Sequence, residues 1–83
     1  QELSFVPRLG SSPPARVHVE LSTDAPPGTA LELTWGEHTE RAVVPARPAE
    51  RWGYVEVELP TSRARLVVRA VGGALRVGSI ALR

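Results

Sequence analysis

The sequence predicts a single all-β domain: a small, antiparallel, two-sheet β-sandwich of about seven short strands. Three observations carry that expectation. Apolar and polar residues alternate with period two in segment after segment, the pattern of half-buried strands. Most of the eight prolines and seven glycines fall between those segments, where they set turns and remove backbone donors. Nowhere does a spacing of three and four persist long enough for an amphipathic helix.

Leu3-Ser4-Phe5-Val6 reads as a short first strand, and Gly10-Ser11-Ser12-Pro13-Pro14 then breaks the chain. Val17, Val19 and Leu21 alternate with Arg16, His18 and Glu20 to give the second. Ser22 to Gly28 is a loop, with Asp24 and Pro26-Pro27-Gly28 as turn formers. Leu31, Leu33 and Trp35 share the inward face of a third strand; Gly36 to Thr39 turns the chain and Glu40 to Val44 returns it. Pro45 to Glu50 connects to the next strand, where Val55, Val57 and Leu59 point inward and Tyr54, Glu56 and Glu58 outward.

A hairpin through Pro60-Thr61-Ser62-Arg63 is expected next, with Leu59 opposite Ala64 and an inward row of Ala64, Leu66, Val68 and Ala70. That register sets Glu58 against Arg65 and Tyr54 against Arg69, cross-strand pairs worth about 0.2–1 kcal/mol each. A second hairpin is expected at Gly72-Gly73, where both residues accept positive φ. It places Ala70 opposite Leu75 and Val68 opposite Val77. The parity then breaks, because Ile80 and Leu82 are even-numbered, and one extra residue near Gly78-Ser79 restores it as a β-bulge.

Eighty-three residues make one domain, residues 1–83, near the lower end of what folds alone. The strand count and size suit an immunoglobulin-like or fibronectin-like arrangement, without the Cys…Trp…Cys spacing of antibody domains. Ten basic and nine acidic residues interleave, which argues against a nucleic-acid partner, since that needs a basic stripe. No apolar run is long enough to span a membrane. There is no cysteine, hence no disulfide or thiol chemistry. Every basic side chain other than His is Arg, and Asn, Cys and Met are absent. That composition fits a GC-rich bacterial genome and a thermophile. The chain starts at Gln1, which fits either a secreted protein freed of its signal peptide or a fragment of a larger one.

No catalytic, cofactor or metal site is expected. Nucleophilic catalysis needs a base oriented by a third group, and Asp24 and Ser22 sit in a turn while His18 lies on an outward strand face. Glu56 and Glu58 are about 6.6–6.8 Å apart along one strand, a spacing akin to paired glycosidase carboxylates, but 83 residues leave little room for a cleft. His18 and Glu20 share a strand face and could hold a metal with His38 from a loop; the plainer reading is a solvated face, because no motif forces convergence. The chain is therefore expected not to be an enzyme.

Two binding surfaces remain. Leu3, Phe5, Pro7 and Leu9 recur with period two ahead of a Ser/Pro hinge, so that residues 1–14 form a detachable strand and tether. Such a strand either pairs inside its own domain or docks on the sheet edge of another copy. Head-to-tail repetition of that contact gives an open filament. The expectation is a secreted or cell-surface structural domain whose partner is protein, chiefly other copies of itself. The alternative is a carbohydrate-binding module of a larger secreted protein, with Trp52 and Tyr54 as a platform for a sugar ring and Arg69 and Glu56 as polar contacts. Against it, Trp52 could simply cover one end of the sandwich.

Overall fold

A computed structural model of the chain describes residues 2–46, 51–72 and 75–83. Seven strands follow one another: β1 (Glu2–Phe5), β2 (Arg16–Thr23), β3 (Ala30–Trp35), β4 (His38–Val43), β5 (Gly53–Pro60), β6 (Leu66–Val71) and β7 (Val77–Leu82). They form two antiparallel sheets, ordered β1-β6-β3-β4 and β5-β2-β7. The fold is a small all-β sandwich: every strand but β4, which is exposed except at Ala42, has one apolar face, and two sheets stacked face to face bury these faces.

The expected inward rows fill the core. Val17, Val19, Leu21, Leu31, Leu33, Trp35, Val55, Leu59, Leu66, Val68 and Ala70 are all buried, and Val57, Val77, Ile80 and Leu82 pack half-buried against them. Trp35 is fully enclosed and keeps its indole N–H satisfied by donating to the Ala64 carbonyl at 2.9 Å, which removes the penalty for burying that donor. Burying a side chain of this kind contributes about 1.5–3 kcal/mol.

Both expected hairpins of the last third are corrected. β5 pairs along its whole length with β2, Arg16 to Thr23 lying opposite Pro60 to Gly53. β6 pairs with β1 and β3 in the other sheet. Residues 61–65 therefore cross the sandwich, and Ala64 is exposed outside any strand. The crossing is anchored at both ends. The Thr61 amide donates to the Ala15 carbonyl at 2.9 Å, the Thr61 hydroxyl donates to the Pro14 carbonyl, and Ala64 receives the Trp35 indole. Glu58 consequently faces His18 across the sheet and Tyr54 faces Ser22, in place of Arg65 and Arg69.

β7 likewise crosses back to pair with β2, from Val19–Leu82 to Thr23–Val77. The Gly72-Gly73 hairpin is thus absent; Gly72 does take φ +79°, while Gly73 lies outside the described residues. The expected bulge is present. Ser22 pairs with Ser79 and Thr23 with Val77, which leaves Gly78 as the extra residue. The register is closed by reciprocal backbone bonds between His18 and Arg83, each 2.9 Å.

The expected turn at residues 36–39 tightens to Gly36 and Glu37, closed by the Trp35–His38 pair. Gly36 has φ +66°, the left-handed region that a two-residue hairpin demands of its first central residue. The loop expected from Ser22 starts later, because β2 runs through Thr23 and both residues are buried. The Thr23 hydroxyl donates to the Arg76 carbonyl at 2.7 Å and accepts from the Ala25 amide at 3.1 Å. Of the expected Pro45–Glu50 connection, residues 47–50 lie outside the described residues.

The central pairings, β2 with β5 and β3 with β6, are those of an immunoglobulin constant domain, but the terminal strands are interchanged and β4 lies beside β3 rather than β5. Here the first strand flanks β6 and the last flanks β2.

Candidate functional site

Two regions carry the residues singled out by the sequence. The first is the edge formed by β1. Among the described strands it pairs only with β6, Glu2 opposite Arg69, Leu3 opposite Val68, Ser4 opposite Val67 and Phe5 opposite Leu66. Three of its four residues are exposed, Leu3 retaining 41% of its accessible surface. Phe5, Pro7 and Leu9 are half-buried, in phase with one another as their period-two spacing predicts, and Phe5 and Leu9 touch the core. Val6, Pro7 and Leu9 then line one wall of a recess of about 500 Å³ whose other wall includes Thr61 and Ala64.

One side chain clasps the strand from outside: Arg65 donates through Nε to the Ser4 hydroxyl and through Nη2 to the Ser4 carbonyl, both at 3.3 Å. Residues 6–15, with prolines at 7, 13 and 14, join β1 to β2 in the opposite sheet. Ten residues extend to about 33–36 Å, comparable with the 40 Å long axis of the molecule.

The second region is the outer face of β5-β2-β7. Register puts side chains on it in rows: Glu58, His18 and Arg83; Glu56, Glu20 and Ala81; Tyr54, Ser22 and Ser79. The row at the bulge is completed by Trp52. A Cβ built on Gly78 would stand 2.9 Å from the Trp52 ring and 2.9 Å from Ser22 Oγ, so the indole lies over the glycine. The Arg51 guanidinium sits 5.1 Å from the Trp52 ring centroid, within cation–π range. Trp52 is half-buried and Tyr54 is 56% exposed.

The sugar-binding set is only partly assembled. Trp52, Tyr54 and Glu56 share this face, whereas Arg69 belongs to β6 on the outer face of the other sheet, where it donates to Glu32 Oε1 at 2.6 Å. That hydrogen bond is the main reason the Glu32 carboxyl is held below its ordinary pKa; desolvation, the next-largest influence, opposes it, and the charges of Arg69 and Arg41 add to the lowering. Arg69 is correspondingly raised, first by the same hydrogen bond.

The three-residue set weighed and set aside in the sequence, His18 and Glu20 with His38, is not assembled either. His38 opens β4 in the four-stranded sheet, opposite Trp35, while His18 and Glu20 stand on β2. Their neighbour is Glu56, directly across from Glu20, with Oε1 3.6 Å from His18 Nε2. Spacing along the chain gave no sign of it, because 36 residues separate Glu20 from Glu56 and only strand pairing joins them. Glu58 pairs with Arg16 at 3.6 Å, and Asp24 with Arg76 and Arg51 at 3.4 and 3.8 Å. Among the described residues, no helix is long and apolar enough to cross a membrane. No protein-family model, curated protein or solved structure matches the chain.

Proposed function

We propose that this domain is a non-enzymatic structural unit that assembles with copies of itself by exchange of β1, and that the setting of that assembly is the cell surface. The observation that carries the reading is the weak tenure of β1. It is a four-residue edge strand with three exposed residues, paired on one side only among the described strands, and a ten-residue Pro/Ser-rich tether joins it to the body of the fold. Leaving its place exposes the β6 edge and the buried Leu66 and Val68; a second copy's β1 restores the same backbone bonds and the same Phe5 contacts. Exchange therefore conserves contacts, and concentration and tether geometry decide between the closed and the linked state.

The reading is tested by light scattering coupled to size-exclusion chromatography, followed by negative-stain microscopy, on the intact chain and on a chain lacking residues 1–10. Regular polymers of the intact chain, lost on truncation while the β-sheet circular dichroism persists, are the expected result. A clean monomer of 9.0 kDa at high concentration overturns it, as does a truncated chain that unfolds.

Tyr54 and the half-buried Trp52 on one outer face with Glu56 favour a second reading, a carbohydrate-binding module lacking the arginine contact. Glycan-array binding abolished by Trp52→Ala is its expected signature, and an array without hits on the intact chain removes it.

A further inference from the structure

We propose that His18, Glu20 and Glu56 form a binding site for a divalent transition metal, with zinc the ion whose coordination they fit best. Among the described residues this is the one place where three potential ligand side chains converge, each offering a donor atom, all within 4.8 Å of one another. The convergence is a product of sheet geometry. His18 and Glu20 are two apart on β2 and therefore share a face. Glu56 is paired with Glu20 across β5 and sits diagonally from His18, at the range where long side chains on adjacent strands meet.

Zinc takes imidazole nitrogen and carboxylate oxygen at about 2.0–2.2 Å in tetrahedral arrays. Such bond lengths place neighbouring donors about 3.4 Å apart. The donors lie within 4.8 Å of one another, His18 Nε2 and Glu56 Oε1 already at 3.6 Å, so they need to close by about an ångström, on the scale of side-chain torsion changes. His18 and Glu20 are half-buried and hold the other two positions. One nitrogen with two carboxylates leaves the fourth position to water, and the imidazole biases the site away from calcium and magnesium, which prefer all-oxygen shells.

Charge supplies the second argument. Glu20 and Glu56 face each other across the strands, an arrangement that costs free energy when nothing lies between them. Among the described residues the arginine paired with Glu20, Arg83, reaches it only at 3.9 Å, and Arg16 is engaged by Glu58. The remaining neighbours on this face, Ala81, Ser22 and Tyr54, bring no positive charge. A dication between the two carboxylates converts that repulsion into attraction. The site lies on the three-stranded sheet, away from β1, and is independent of the assembly reading.

Isothermal titration of the untagged, chelator-stripped chain with zinc chloride tests the proposal. One ion per chain is expected, bound in roughly the micromolar range. His18→Ala and Glu56→Gln should each weaken binding by more than about tenfold, the scale of losing an important metal partner, while His38→Ala leaves it unchanged. Circular dichroism confirms that the outward-facing variants keep the fold. Absence of saturable heat up to about 1 mM zinc, a chain-level affinity below about 4 kcal/mol, overturns the proposal. So does a His18→Ala chain that binds as tightly as the parent.

Discussion

On the outer face of the four-stranded sheet, Glu2, Arg69, Glu32 and Arg41 stand side by side on β1, β6, β3 and β4. Every neighbour in that row is of opposite sign, and Glu32 is contacted by Arg69 at 2.6 Å and Arg41 at 3.7 Å. On the outer face of the three-stranded sheet the same residue types fall differently. Glu20 opposes Glu56, and Glu58 opposes His18. Along the chain the two faces look alike, since Glu alternates with core residues in both. Which charge meets which is decided by the neighbour each strand acquires. One face becomes a neutralised ladder, the other an anionic patch with an imidazole beside it.

Four substitutions separate these two faces from each other and from the core beneath them. Leu21→Ala should have the largest effect. Leu21 is 1% exposed and neighbours Glu20 on β2, so truncation removes core contacts under the anionic face at a cost of about 2–5 kcal/mol, read as a lower urea midpoint. An unchanged midpoint would show that β2 is not the spine of that sheet. Gly78→Ala should come next. Its new methyl meets the Trp52 ring and Ser22 at 2.9 Å, and forcing the bulge to adapt should cost about 1–3 kcal/mol, accompanied by a shift in tryptophan emission. Parental emission and stability would mean that the indole does not lie over the glycine.

Glu32→Gln should lower the melting temperature at neutral pH, with a pH dependence that fingerprints the ladder. The folded Glu32 carboxyl titrates below its unfolded value, chiefly through the Arg69 hydrogen bond. Its contribution is therefore complete above the unfolded carboxyl range, about pH 4.3, and is lost as pH falls through the folded value. The gap between parent and variant should be full at pH 7 and narrow as pH drops below about 4. A gap independent of pH contradicts the ladder. Glu56→Gln should have the smallest effect and the opposite sign. Removing one of two opposed carboxylates stabilises the metal-free chain by about 0.2–1 kcal/mol at low salt, and added salt should erase the gain. A destabilised variant would indicate that Glu56 already has a favourable partner in His18.

The legible part of this molecule is the part governed by period. Every strand but the fourth, which was read only as the chain's return after the Gly36 turn, was marked by alternation in whole or in part, and the inward rows from Val17 to Ala70 were correct in phase except at Ala64. The bulge at Gly78 was visible as a break of parity between Val77 and Ile80. The illegible part is pairing. Leu59 and Leu66 fit an in-phase hairpin across residues 60–65, yet the same residues serve equally well when β5 and β6 lie in opposite sheets. Apolar rows specify which side faces the core and are silent on which strand lies alongside. The candidate sites inherited that silence. Arg69 was assigned to Tyr54 through the hairpin that does not form, and Glu56 was missed as the neighbour of His18 and Glu20 because β2 and β5 meet only in three dimensions.

By itself, then, the sequence determined an all-β domain, seven strand positions, their buried faces and the turn at Gly36, because these depend on side-chain periodicity and local backbone preference. Only the tertiary structure decided that β1 flanks β6, that β7 returns to β2, and that Glu20 opposes Glu56. Those outcomes depend on long-range pairing, in which a backbone hydrogen bond is equally available from any strand and the choice rests on how two whole sheets close over one core.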